Sequence, residues 1–312
     1  MRRLCDLLCL CLALCLLVAC SPKQKESKAQ EHTFTDSMGH TVTVSEPQRV
    51  AVLFSSLADI WVSAGGSLAI TVEETVERGI VAADAVLVDT GAGKTIDREA
   101  LIAAAPDLVI TSADIEAQRE CAAFLRENGI PVAEFRVESF ADYLTVLKIC
   151  TDITSRPDLF EELGTAQQTR IDAMLLQKPL AGKRILFIRA GSSARSVKAK
   201  GSADHFAATM LSELGAINIA DGAPILLDGL AMEVILDEDP DYIFFTAMGD
   251  EQASRDYVAQ MLQGAEWQSL TAVQEDRWSY LPKDLFHYKP CGAWADAYAH
   301  LAEKATALGA VQ

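Results

Sequence analysis

Residues 98–110 read REALIAAAPDLVI, and residues 232–244 read MEVILDEDPDYIF. The second residue of each stretch is a glutamate, Glu99 or Glu233. Six residues follow, all apolar after Glu99 and half apolar after Glu233, then Pro106-Asp107 or Pro240-Asp241, then an apolar run. Proline cannot continue a helix, and a short apolar run bounded by Pro-Asp reads as a buried strand. A single E-x6-P-D arises easily by chance. Two of them, each joining a helix to a strand, predict a duplicated α/β lobe.

Working outward, the same alternation recurs. In the first half, Arg49 to Phe54 predicts a strand and Ala58 to Ala64 a helix stopped by Gly65-Gly66. Glu116 to Asn128 predicts a helix and Val132 to Phe135 a strand. Phe140 to Thr151 and Pro157 to Gln177 then read as helix with no strand between them. In the second half, Arg184 to Arg189 predicts a strand and Phe206 to Leu214 a helix. Tyr242 to Phe245 and Arg277 to Leu281 predict strands, and Ala293 to Leu308 a closing helix. Strand–helix alternation implies parallel sheets covered by helices. Ahead of all this, Thr33 to Val44 alternates around Met38-Gly39 and predicts a β-hairpin.

The bulk properties agree with two lobes. A chain of 312 residues fits two domains, and its half-apolar composition supplies ample core. A formal net charge of −17 argues against nucleic acid, whose phosphates call for basic patches. The start, Met1-Arg2-Arg3, precedes an apolar run from Leu7 to Ala19, long enough for a signal-peptide core and too short to span a bilayer. The run ends in Leu17-Val18-Ala19-Cys20, which resembles a bacterial lipobox with Cys20 as the lipidated residue. The expected organisation is therefore a leader over 1–19 and a flexible tether over 20–32. An N-terminal lobe over 33–152, a connecting helix over 153–180 and a C-terminal lobe over 181–312 follow. Beyond the leader and Cys20, Cys121, Cys150 and Cys291 remain. Three scattered cysteines make no disulfide framework and are expected to be small buried hydrophobes.

With these segments in place, the chain resembles the solute-binding proteins of iron–siderophore, haem and cobalamin ABC importers. The resemblance rests on Phe34-Thr35-Asp36-Ser37-Met38-Gly39, on Arg49-Val50-Ala51-Val52, on Pro106-Asp107-Leu108-Val109-Ile110 and on Leu211 to Asp221. It implies two Rossmann-like lobes joined by a long rigid helix, the class III periplasmic-binding arrangement. It also implies a monomer without enzymatic activity or resident cofactor, lipid-anchored on the extracytoplasmic face. Such a protein passes a ferric siderophore or haem to a permease and its ATPase. In that family one glutamate per lobe pairs with permease arginines, and the matching positions are Glu99 and Glu233. A cobalamin receptor of the same fold is the alternative. A two-domain α/β enzyme is the alternative from another class, and the chain carries no G-x-S-x-G, P-loop or G-x-G-x-x-G motif.

In a fold of this kind ligands lie at loops following strand C-termini. Those loops nominate Ser55, Ser56, Ser112 and Asp114 from the N-lobe. Residues 183–200 hold Lys183, Arg184, Arg189, Arg195, Lys198 and Lys200 with no acid among them. This predicts a positive wall for an anionic ligand, with arginine suited to bidentate contact. Phe286, His287 and Tyr288 predict an aromatic wall, and His287 or Tyr288 could ligate haem iron. A bare metal site is not expected, because His40, His205, His287 and His300 do not obviously converge. A rigid joining helix predicts a largely preformed cleft.

Overall fold

The computed structural model describes residues 30–89, 95–193, 196–222 and 232–309. The leader, Cys20, most of the tether and Arg195 lie outside the described residues. The chain forms two compact units, Met1–Glu31 and His32–Gln312.

Two parallel sheets organise the second unit. The first has the order β5-β4-β3-β6-β7, from Val86–Leu87, Ile70–Thr71, Val50–Val52, Leu108–Ser112 and Val132–Phe135. Val52 lies opposite Ile110, and Val109 opposite Val132. The second has the order β10-β8-β11-β12, from Ile217–Asn218, Arg184–Ala190, Tyr242–Ala247 and Trp278–Tyr280. One short strand, β9 (Lys198–Ala199), folds back antiparallel onto β8. β6 and β11 are buried at every position, as expected for sheets covered on both faces, and so read as unbroken apolar runs. Ahead of the first sheet, β1 (Glu31–Thr35) and β2 (Thr41–Ser45) form the expected hairpin, with Val42 and Val44 turned inward. The architecture is two Rossmann-like lobes joined by a long helix, as the duplicated motif implied.

The motif owes its form to one closure, built twice. In the N-lobe, the Asp107 carboxylate accepts the backbone N–H groups of Gln48 (2.7 Å) and Arg49 (2.9 Å). The Arg49 side chain donates to the carbonyl of Ala104 (2.9 and 2.7 Å). In the C-lobe, Asp241 accepts the Arg184 N–H (2.8 Å), and Arg184 Nε donates to the carbonyl of Glu238 (3.2 Å). In both, the residue before the proline takes a left-handed backbone, Ala105 at φ 49° and Asp239 at φ 33°. The arginine thus satisfies a carbonyl that the end of a helix leaves without a partner, and the aspartate fixes the start of the neighbouring strand. The helices Arg98–Ala103 and Met232–Glu238 therefore end at the bases of β3 and β8. Their first turns, carrying the exposed Glu99 and Glu233, lie toward the strand C-termini.

The joining segment runs without a break through Pro157–Phe160, a π-turn at Glu161–Thr165 and Ala166–Gln177. At 1.5 Å per residue this is a rod of about 30 Å. Gly164 lies in the π-turn, where a Cβ would stand 3.0 Å from Leu144 Cδ2. The rod is held from both sides. Tyr143 Oη donates to the carbonyl of Leu163 (3.1 Å), and Gln167 Oε1 accepts the Ala295 N–H (3.0 Å). Arg170 pairs with Asp296 at 2.5 Å.

One apolar cluster runs through both halves of the chain, flanked by a second in the C-lobe and a third in the N-lobe. At its centre Trp294 is fully buried, its ring 6.0 Å from Phe140, 6.1 Å from Tyr143 and 5.8 Å from Phe206. Cys121, Cys150 and Cys291 are buried and unpaired, as the sequence implied. Burial pushes the Cys150 thiol up to about 12, so it stays protonated and inert.

Candidate functional site

The C-terminal ends of the two sheets meet across a crevice. From the N-lobe, the first turn of the helix Ser55–Ser63 follows β3, Ser112 and Asp114 follow β6, and Arg136 to Glu138 follow β7. From the C-lobe come Arg189 near the end of β8, and the segment His287 to Lys289 after the short helix Lys283–Phe286. The halves touch. The Lys289 N–H donates to Ser56 Oγ (3.3 Å), and Lys289 Nζ donates to Glu138 Oε1 (2.7 Å). The Arg78 guanidinium stacks 4.1 Å over the Tyr288 ring. The crevice lined by Phe54, Ser56, Leu57, Ser112, Asp114 and Lys289 measures about 10 Å³.

Positive charge dominates the C-lobe side. Arg189 and Lys198 are register partners on β8 and β9, so their side chains share one face of the sheet. Arg189 Nε is buried and without a hydrogen-bond partner. Burial pulls its guanidinium below the ordinary value, opposed by the nearby Glu138 carboxylate. Two histidines report the same field. His287 is pushed down to about 4, chiefly by burial and then by Arg189 and Lys283. His205, packed between Phe187 (4.9 Å) and Phe206 (4.7 Å), is held well below its usual range. Burial is again the main cause, followed by Lys289 and Arg189. Both imidazoles are therefore neutral. His287 Nδ1 stands 2.9 Å from the carbonyl of Ala247, so that nitrogen donates and Nε2 keeps its lone pair.

A pH dependence follows. The unfolded chain protonates these histidines near 6.5, whereas folded His287 protonates only near 4. The unfolded state thus binds more protons within that window, and stability falls as pH drops from 6.5 toward 4. His205 contributes with the same sign. A His205→Asn/His287→Asn variant retains a cap for the helix Phe206–Glu213. It should flatten the dependence of the urea midpoint on pH across this window, as followed by circular dichroism.

The nominated residues fare unevenly. Ser56 and Ser112 line the crevice, as does Asp114, which is exposed and paired with Arg136 at 2.6 Å. His287 and Tyr288 reach it through the contacts above, and Lys200 lies close enough to His205 to depress it. Two nominated residues are fully buried with their polar or apolar contacts met inside the protein. Ser55 is fully buried, donating to Glu74 Oε2 (2.5 Å) and accepting from Arg78 (3.1 Å), so it supports the wall instead of facing a ligand. Phe286 is fully buried beside His300, because it closes the turn Lys283–Phe286 with its ring in the core. Within the basic run, Arg184 closes the motif at the base of its lobe, away from the crevice.

Sequence reasoning missed Arg78, Glu138 and Lys289. Glu138 stands three residues after the end of β7, in the loop that the strand-terminus rule would have searched. Arg78 caps the helix Glu73–Glu77, pairs with Asp59 at 3.2 Å and gives no signal of its own in the sequence. His40 does converge with other groups. It lies 3.2 Å from Asp36 and 3.6 Å from Glu134, both buried. The Arg126 guanidinium binds Glu134 there and supplies the positive charge, so the cluster is a pinned hairpin.

Comparison with known proteins agrees with this architecture. Residues 50–285 match the family described as "Periplasmic binding protein". No curated protein matches the chain. Among solved structures, the siderophore binding protein BauB, bound to a complex of two acinetobactin molecules and ferric iron, is similar. It has 14% identity and a TM-score of 0.69, over 88% of this chain and 98% of that one. The vitamin B12 binding protein BtuF of Vibrio cholerae gives 19% identity and a TM-score of 0.69, over 85% and 98%. The haem-binding protein RhuT from Roseiflexus sp. RS-1 gives 18% and 0.65, over 84% and 98%. At these identities the likeness is one of fold. The matched span runs from β3 to the helix that carries Lys283, taking in both sheets and the rod, and on that ground the chain belongs to the periplasmic binding protein family.

Proposed function

We propose that this protein captures an anionic iron chelate, a ferric siderophore or haem, between its lobes and delivers it to the permease of an ABC importer. The observation that carries this reading is Arg189. A buried guanidinium nitrogen without a partner is costly unless an acceptor comes to it. Arg189 stands among Lys200, Lys283, Lys289 and Arg78, a density of cations suited to carboxylate, catecholate or propionate oxygens. Small-molecule sites occupy roughly 300–1,000 Å³, so a crevice of about 10 Å³ has to open before a chelate enters. The rod limits that opening to a modest rotation. Lys198, on the same face as Arg189, extends the positive wall, while His287 Nε2 or the Tyr288 phenolate supplies a ligand should the chelate be haem. Glu99 and Glu233 dock the loaded protein on the permease. Cys20 carries the lipid that keeps it at the extracytoplasmic membrane face. Among the described residues no helix is long and apolar enough to cross a bilayer.

Arg189→Ala tests the reading. Losing one or two charge-assisted hydrogen bonds of about 1.5–3 kcal/mol weakens an anionic ligand some 10- to 100-fold. Isothermal titration with ferric citrate and haemin should show that loss, with neutral cobalamin unaffected. An equal loss for cobalamin would favour the cobalamin receptor instead.

A further inference from the structure

One carboxylate reaches across the crevice into the cationic cluster. Glu138 stands two residues before the helix Phe140–Ile153, and its position is fixed by that helix's capping box. Asp142 Oδ2 accepts the N–H groups of Glu138 and Ser139 (both 3.0 Å), while Ser139 Oγ accepts the Asp142 N–H (3.1 Å). So held, Glu138 projects from the N-lobe onto Lys289 Nζ at 2.7 Å, and it also stabilises the charge on Arg189. Lys289 has little freedom to look elsewhere. Its side chain is 15% exposed, its ammonium lies 4.6 Å over the Phe206 ring, and its backbone N–H is bound to Ser56 across the same crevice. Among the described residues, no other acidic side chain forms an ion pair with Arg189, Lys200, Lys283 or Lys289.

We propose that Glu138 is an internal counter-anion. It draws the lobes together by holding the Lys289 ammonium, one of the cations that an anionic ligand needs, and the ligand displaces it on entry. This rests on the reading of the crevice as a site for anionic chelates. The physical ground is competition: one lysine ammonium cannot give full contact to two anions at once. The measured affinity for an anionic ligand is thus what remains after the Glu138–Lys289 pair is broken. The pair thereby selects as well as closes, since a neutral ligand has nothing with which to replace it.

The two partners have opposite roles toward the ligand, which gives the test its sign. Glu138→Gln and Lys289→Gln both remove the ion pair while retaining polar groups of similar size. In full-length protein without added ligand, amide hydrogen exchange read by mass spectrometry should accelerate about fivefold to tenfold in peptides containing Lys289, in both variants. Affinity for ferric citrate should then split. It should rise about fivefold to tenfold in Glu138→Gln and fall in Lys289→Gln, whereas cobalamin, which must open the same pair without replacing it, should bind more tightly in both. Unchanged exchange at Lys289 in Glu138→Gln would overturn the closing role. Faster exchange with equal or weaker ferric citrate binding in that variant would overturn the competition. Faster exchange, with neither ferric citrate nor haemin bound by wild type or variant, would support the closing role and remove the chelate reading beneath it.

Discussion

Reversing Glu99 and Glu233 together, Glu99→Arg/Glu233→Arg, should cut permease-coupled uptake by about 100-fold or more while ligand affinity stays within twofold of wild type. Both glutamates are exposed, and each stands in the first turn of a short helix whose far end is fastened to the base of its sheet. The fastenings are the same in the two lobes, so the carboxylates occupy equivalent places on two rigid bodies. Truncating one partner of a close charge pair costs about 2–5 kcal/mol, and placing like charges opposite one another costs several more. About 2.7 kcal/mol already corresponds to 100-fold. Neither residue lines the crevice, so binding and delivery separate cleanly. The measurement is uptake in proteoliposomes holding the importer, with ligand affinity titrated in parallel. Uptake at the wild-type rate would refute the docking assignment.

Trp294→Ala should lower global stability by about 3–5 kcal/mol, the range for emptying a fully buried large aromatic site. The site is filled from both halves of the chain: Phe140 and Tyr143 precede the rod, and Phe206 follows it. The loss should therefore appear as one cooperative transition moved to lower denaturant, not as a separate early unfolding of the C-lobe. Trp294→Phe should cost much less. The Trp294 Nε1–H has no hydrogen-bond partner in the core, so its removal relieves a buried unsatisfied donor as it removes volume. Urea unfolding followed by circular dichroism distinguishes these outcomes. Two resolved transitions in Trp294→Ala would mean that the lobes do not share a core.

The fold was legible wherever one local pattern carried a whole element. Val132 to Phe135 and Pro157 to Gln177 were predicted with the bounds observed, because proline, glycine and clear apolar periodicity mark their ends. The repeated E-x6-P-D was informative because arginine, proline and aspartate build the same closure at the base of each lobe. Residues 65–96 gave little, since two-residue strands such as Ile70–Thr71 and Val86–Leu87 are too short to show a period. The helix Glu251–Leu262 went unread because only Ser254, Val258 and Leu262 are buried, too sparse a stripe among polar residues.

The proposed site was legible by chemistry and not by contact. The acid-free run containing Arg189 pointed to a charged wall, but it could not separate Arg184, committed to structure, from Arg189. Phe286 and His287 are adjacent in sequence, yet one short helical turn sends the first into the core and the second to the crevice. Glu138 and Lys289 are far apart along the chain, and only the folded arrangement shows that they meet.

A panel titration followed by absorption and tryptophan fluorescence is the most direct measure of the central claim. Purified protein would be titrated with ferric citrate, a ferric catecholate siderophore, haemin and cobalamin. The account predicts saturable binding of at least one of the three anionic chelates, tighter than that of cobalamin and lost or strongly weakened in Arg189→Ala. Cobalamin bound more tightly than every anionic chelate, with Arg189→Ala indifferent to all four, would contradict it.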